Sequence, residues 1–192
     1  IGFTFLNFIR NLWSILYSPI SQRVNHFSAN KSDIKISQIL TKTIEYTLPF
    51  YMILSLSLFL FAEPIILFWV GDKYQASIGL FQILMISMFF GVITRPAGSY
   101  FIARLKYKYM YIQALASICI FYTFIFFQID NFGLDSIAMA KVFVAIVLGF
   151  ISLIGISKIV SFYSLLFKTF IPSILIGILF YINKHLNYSY LT

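Results

Sequence analysis

Four charged residues stand inside long apolar runs of the sequence: Arg10, Glu63, Arg95 and Lys141. A charge within hydrocarbon is costly, so membrane proteins retain it mainly where it lines a polar cavity, pairs with another group or reaches the interface. Three of these four residues are cations. Such a set suits the binding of an anionic substrate, provided that the cations face the same cavity.

Arg95 lies in the stretch GVITRPAGSY, which combines a cation with a helix breaker. Pro96 removes one amide donor and releases the carbonyl of Val92, which opens the helix beside the charge. Gly98 and its small neighbours predict the close approach of another helix. Arg95 precedes Arg104 by nine residues, which is about 13 Å along a helix. Two interpretations stay open, a cavity-lining guanidinium and one that extends toward the lipid headgroups.

The other three intramembrane charges have less distinctive surroundings. Lys141 follows Asp135 by six residues, so its ammonium can either reach the outer interface or face a cavity. Arg10 stands between two asparagines in the most polar of the apolar runs, which indicates a helix face turned toward water. Glu63 precedes Pro64 near the outer end of a predicted helix, and the pair predicts a break there.

The apolar runs that contain these residues predict an all-α fold, a polytopic membrane protein with about six transmembrane helices. The chain is 60% hydrophobic and 10% charged, whereas a soluble domain is about a quarter charged. A helix crosses a bilayer with roughly 18 or more apolar residues. We place the helices at residues 3–20, 46–70, 76–103, 109–129, 136–157 and 169–182, and a polar cytoplasmic loop at 21–45.

Part of that loop has a helical pattern of its own. Ile36, Ile39, Leu40 and Ile44 recur at helical spacing. This spacing fits an amphipathic helix lying on the membrane surface, and it fits equally well a second helix that starts early.

Lys and Arg residues concentrate on one side of this topology. Cytoplasmic loops hold the excess of basic residues in membrane proteins, so we assign the loops after the first, third and fifth helices to the cytoplasm. The net charge of +8 then reflects topology, and nucleic acid is not a predicted partner. The basic residues on this side are Arg23, Lys31, Lys35, Lys42, Arg104, Lys106, Lys108, Lys158 and Lys168.

The sequence has no pattern typical of an enzyme or a metal site. It contains no Gly-rich phosphate loop and no Ser, His and Asp constellation. His26 and His185 lack the spacing of metal ligands, and one cysteine cannot form a disulfide within the chain. We therefore predict no catalytic residue, no metal and no cofactor.

Four segments follow one another in a recognisable order across residues 10–157. They are LYSPISQRVNHFSANKSD, LPFYMILSLSLFLFAEPIILFWVGDKY, AGSYFIARLKYKY and NFGLDSIAMAKVFV. Together they resemble bacterial polysaccharide flippases of the O-antigen type, within the multidrug, oligosaccharidyl-lipid and polysaccharide exporter superfamily. Ser136 and Lys141 depart from the family pattern, which usually has glycine and a small hydroxyl residue there.

The resemblance implies the C-terminal half of a two-lobe transporter, so we expect the chain to be a fragment without its N-terminal lobe. It implies alternating access in the bacterial inner membrane and an undecaprenyl-pyrophosphate-linked oligosaccharide as substrate, for O-antigen or lipopolysaccharide biosynthesis. The implied partners are this substrate, membrane lipids and the polysaccharide polymerase machinery. A cationic lumen containing Arg95, Lys141 and Arg10 would compensate the pyrophosphate or acidic sugars.

Three other functions stay open from the sequence. A multidrug or small-molecule exporter of the same superfamily would use membrane acids for ion coupling, and only Glu63 qualifies. A polytopic polysaccharide polymerase or acyltransferase would need a large extracytoplasmic loop or a catalytic His and Asp in the membrane. A non-catalytic membrane scaffold would not need the intramembrane charges.

Overall fold

The computed structural model describes residues 2–30, 32–75 and 77–160, apart from several side chains. Over this part the chain is all-α, with no strand. The predicted helix at 169–182 lies outside the described residues. The elements are α1 (Gly2–Ala29), α2 (Asp33–Leu60), α3 (Ala62–Val70), α4 (Ser77–Ala103), α5 (Tyr107–Phe132) and α6 (Asp135–Ile156), with a 3-10 turn at Asp72–Tyr74.

The segment expected as a polar loop at residues 21–45 is almost entirely helical. Its first part continues α1 and its last part begins α2, so only residues 30–32 connect the two helices. Ile36, Leu40 and Ile44 are fully buried. The hydrophobic pattern of this segment therefore belongs to an early start of the second membrane helix, and the surface-helix interpretation is wrong.

Three of the described helices, α2, α5 and α6, are long and apolar enough to cross a membrane. A fourth candidate is α4, whose two halves, Ser77–Met88 and Ile93–Ala103, are bent by 45° relative to each other. These helices indicate a membrane protein. The bend lies in the turn before Pro96, where the missing proline amide interrupts the helical hydrogen bonds.

α4 lies at the centre of the bundle and packs against α1, α2 and α6, whereas α5 packs chiefly on α6. Phe81, Leu84, Met85 and Phe101 of α4 are almost completely buried. By contrast, α5 has no buried residue. The core of the described part is therefore built around α4, and α5 forms its outer edge.

The loops assigned to the cytoplasm meet at one end of the bundle. The Ser28 hydroxyl donates a hydrogen bond to the Ala103 carbonyl at 2.8 Å, which joins the ends of α1 and α4. Ser37 donates to the Ile159 carbonyl at 2.6 Å, just beyond α6. Arg104 forms an ion pair with Asp33. We call this end, which also contains Lys106 and Lys108 at the start of α5, the basic end.

The close helix approach expected at Gly98 occurs instead on α6. A Cβ added at Gly98 would have nothing within 4 Å, so no described neighbour requires glycine there. A Cβ added at Gly155 would lie 2.3 Å from Cζ of Phe101. At Gly149 it would lie 3.3 Å from a ring carbon of Phe90. The glycines of α6 therefore allow the side chains of α4 to approach its backbone.

The connection between α4 and α5 forces a leucine into a left-handed conformation. Leu105 has φ 54°. Its amide donates to the Ile102 carbonyl at 3.1 Å, and the Lys106 amide donates to the Phe101 carbonyl at 2.8 Å. This pair of bonds is the Schellman motif that ends many helices, and glycine usually occupies the left-handed position.

Replacing Leu105 with glycine should therefore stabilise the protein. A left-handed conformation costs an L-residue about 1–2 kcal/mol, and the greater freedom of glycine in the unfolded chain offsets about half of that gain. Leu105 is 71% exposed, so little apolar contact is lost. We expect a higher thermal unfolding midpoint in detergent for Leu105→Gly.

Leu134 offers a matched control, because it is equally exposed and lies in the turn between α5 and α6 with φ −64°. Leu134→Gly should lower the unfolding midpoint or leave it unchanged. An equal change in both variants would show that the conformation of Leu105 imposes no cost.

Candidate functional site

Arg95 lies in the half of α4 that follows the bend, on the side of the helix that meets α1. The side chain is partly buried, and Pro96 and Ala97 beside it are buried. Arg95 and Ser99 are four residues apart and so share one face of α4. On α1, Tyr17 and Ser21 share a face in the same way.

These two faces meet in a cluster that we call the Arg95 cluster, made of Tyr17, Ser21, Arg95 and Ser99. The Ser99 hydroxyl donates a hydrogen bond to the Ser21 hydroxyl at 3.2 Å. The hydroxyl of Tyr17 lies near Ser99 and within electrostatic range of the Arg95 guanidinium. A cation and three hydroxyls are therefore gathered between α1 and α4.

Tyr17 is the most deeply buried member of the cluster. Tyr17 is only 6% exposed, and its hydroxyl oxygen makes no well-formed hydrogen bond within the described part of the chain. The neighbouring Ser99 hydroxyl is an imperfect partner, and a buried hydroxyl left without any partner would cost about 1–3 kcal/mol. An anionic oxygen placed between Tyr17 and Arg95 would accept from the hydroxyl and from the guanidinium together.

Lys141 belongs to a different helix interface from Arg95. Its ammonium lies over the ring of Phe121 on α5, 5.2 Å from the ring centroid. Near this position, Phe124 and Phe143 also pack together across α5 and α6. The described structure therefore does not bring Lys141 into the Arg95 cluster, and a cation–π contact accounts for its position.

The two other intramembrane charges are Arg10 and Glu63. Arg10 is part of α1, but its side chain lies outside the described residues. Glu63 and Pro64 are exposed in the first turn of α3. Pro64 cannot donate the amide bond that would continue α2 past Leu60, so the predicted break occurs just before this pair. In the first turn, the Glu63 carboxylate also complements the helix dipole.

Sequence reasoning missed the hydroxyl partners of Arg95. Ser99 was expected only to allow close helix packing. The polar character of α1 was attributed to Arg10 and the asparagines around it, and neither Tyr17 nor Ser21 was predicted as a site residue. The available signal was the spacing of four between Tyr17 and Ser21 and between Arg95 and Ser99. That spacing places each pair on one helix face, but only the fold shows that the faces meet.

Comparison of the chain with protein-family models, with curated proteins and with solved structures found no match.

Proposed function

We propose that the protein transports a lipid-linked oligosaccharide across the bacterial inner membrane by alternating access, as part of a two-lobe transporter with six helices in this lobe. The substrate would be an undecaprenyl-pyrophosphate-linked repeat unit for surface polysaccharide or O-antigen synthesis. The proposal draws on the four segments that resemble polysaccharide flippases and on the apolar helices of the fold.

The observation that carries the proposal is the Arg95 cluster. A guanidinium beside a buried, poorly bonded Tyr17 hydroxyl is suited to a phosphate oxygen, because arginine offers paired donors in the geometry that phosphate accepts. Charge-assisted bonds of this kind strengthen away from bulk water. The bend of α4 next to the cluster supplies irregular backbone, which membrane proteins tolerate where it lines a cavity or is packed in protein.

Expression of the protein in a bacterial strain that lacks its own flippase tests this function. We expect restored surface polysaccharide when the strain supplies the matching repeat unit, together with a fall in the lipid-linked oligosaccharide that accumulates on the cytoplasmic leaflet. Surface polysaccharide is measured on gels, and leaflet distribution by accessibility of the sugar to an impermeant lectin.

Failure to restore surface polysaccharide would indicate a transporter of another substrate or a scaffold. If the protein reaches the membrane and the oligosaccharide stays on the cytoplasmic leaflet, the proposed substrate is wrong. If the protein instead confers export of small organic cations, the multidrug interpretation replaces ours.

A further inference from the structure

A cavity of about 660 Å³ lies between α1 and α2 at the basic end, outside the Arg95 cluster. On α1, Gln22, Arg23 and His26 line it, and on α2, Lys35 and Gln38 do so. All five of these side chains are exposed to solvent. The cavity is a groove open to solvent rather than an enclosed pocket.

The cavity has a strongly one-sided charge. Arg23 and Lys35 are cations and the His26 imidazole adds an N–H donor, while the described lining contains no carboxylate. The nearby acid Asp33 is paired with Arg104. No carboxylate of the described lining therefore compensates the positive potential between α1 and α2.

The position of Lys35 adds to this potential. Its ammonium lies over the ring of Phe27, 5.2 Å from the centroid, and Phe27 is itself part of the lining. Lys35 also stands in the first turn of α2, whose N-cap Ser32 makes no side-chain capping bond. The positive end of the α2 dipole and the Lys35 ammonium therefore both add to the positive potential of the cavity.

The uncharged part of the lining favours a lipid over a free anion. Pro19 and Ile39 supply apolar surface, and the amides of Gln22 and Gln38 can bond to glycerol hydroxyls or ester oxygens. Basic pockets between membrane helices on the cytoplasmic side suit anionic headgroups. We propose that this cavity binds the headgroup of an acidic phospholipid, with its phosphate among Arg23, His26 and Lys35.

Lipid binding to the purified protein in neutral detergent tests this site. Native mass spectrometry counts the phosphatidylglycerol bound, with phosphatidylcholine as the neutral lipid and inorganic phosphate as the free anion. Replacing both cavity cations, in Arg23→Gln with Lys35→Gln, should weaken phosphatidylglycerol binding about 30-fold, because each basic residue near an anionic surface contributes about fivefold.

Lys108→Gln with Lys158→Gln is the matched control, because it removes the same charge from exposed positions at the same end, outside the cavity. We expect it to retain binding within about twofold, as should the charge-conserving exchange Arg23→Lys. An equal loss of phosphatidylglycerol binding in both double variants would show general electrostatic attraction of the lipid to the basic end, and not a specific site. Displacement of the lipid by equimolar inorganic phosphate would overturn the lipid assignment, and undiminished binding by the cavity variant would overturn the site.

Discussion

Replacing Arg95 with alanine is expected to lower the rate of oligosaccharide transport about 10- to 150-fold, which corresponds to the 1.5–3 kcal/mol of a hydrogen bond to a charged group. Arg95 is the cation of the cluster that also contains the buried, poorly bonded Tyr17 hydroxyl. Arg95→Lys should retain part of the activity, because lysine keeps the charge and loses the paired donors. The rate is measured as the appearance of the substrate in the outer leaflet of proteoliposomes.

Lys141→Ala is the control for this prediction, since it removes one intramembrane cation whose contact is the ring of Phe121. We expect its transport rate to stay within about threefold of the wild type, because a cation–π contact contributes only about 0.5–1 kcal/mol at exposed sites. Wild-type transport by Arg95→Ala, at equal abundance in the membrane, would remove Arg95 from the substrate site without bearing on the function itself. Equal losses of transport rate in Arg95→Ala and Lys141→Ala would indicate that both cations line one lumen.

Replacing Gly155 with alanine is expected to destabilise the bundle by about 1–3 kcal/mol, the usual cost of overpacking a core. The new Cβ would lie 2.3 Å from Cζ and 2.6 Å from Cε1 of Phe101. Phe101 is completely buried and stacks on Tyr109 with ring centroids 5.0 Å apart. Because the ring is enclosed, relief requires α4 and α6 to separate.

Gly98→Ala is the matched control, with the same substitution in a helix that has open space around the new methyl group. It should raise stability by up to about 1 kcal/mol, because alanine favours the helix. Thermal unfolding in detergent compares the two variants, and a Phe101→Leu background should recover part of the loss at Gly155. A loss at Gly155 no greater than at Gly98 would contradict the close contact.

The ends of a helix were predictable from the sequence wherever polar residues directly flank its apolar run. The helix predicted at 76–103 is Ser77–Ala103 in the structure, and the one predicted at 136–157 is Asp135–Ile156. The segment 21–45 was misjudged because average hydropathy cannot distinguish a polar loop from a helix that extends beyond the hydrocarbon. Its buried isoleucines were visible in the sequence, but only tertiary packing decides between a surface helix and an extended membrane helix.

The sequence does not show in which direction around its helix each site residue points. Counting residues from Arg104 placed Arg95 at an approximate level, and no such count shows which neighbouring helix it faces. The sequence grouped Arg95 with Lys141 because both are cations in apolar runs, whereas the fold directs them to α1 and α5 respectively. The same limit applies to Gly98 and Gly155, because a glycine does not reveal the side chain that will approach it.

The central position of α4 has a consequence for the order of assembly during synthesis. α1 and α2 make few contacts with each other, and the faces that they bury are covered by α4. Helices insert one after another and then associate within the bilayer. Without α4, α1 and α2 are therefore only loosely associated with each other, and Ser55 of α2 gains its 2.6 Å bond to the Met85 carbonyl only when α4 arrives. A chain that ends before residue 77 would leave these two helices without the core that α4 supplies.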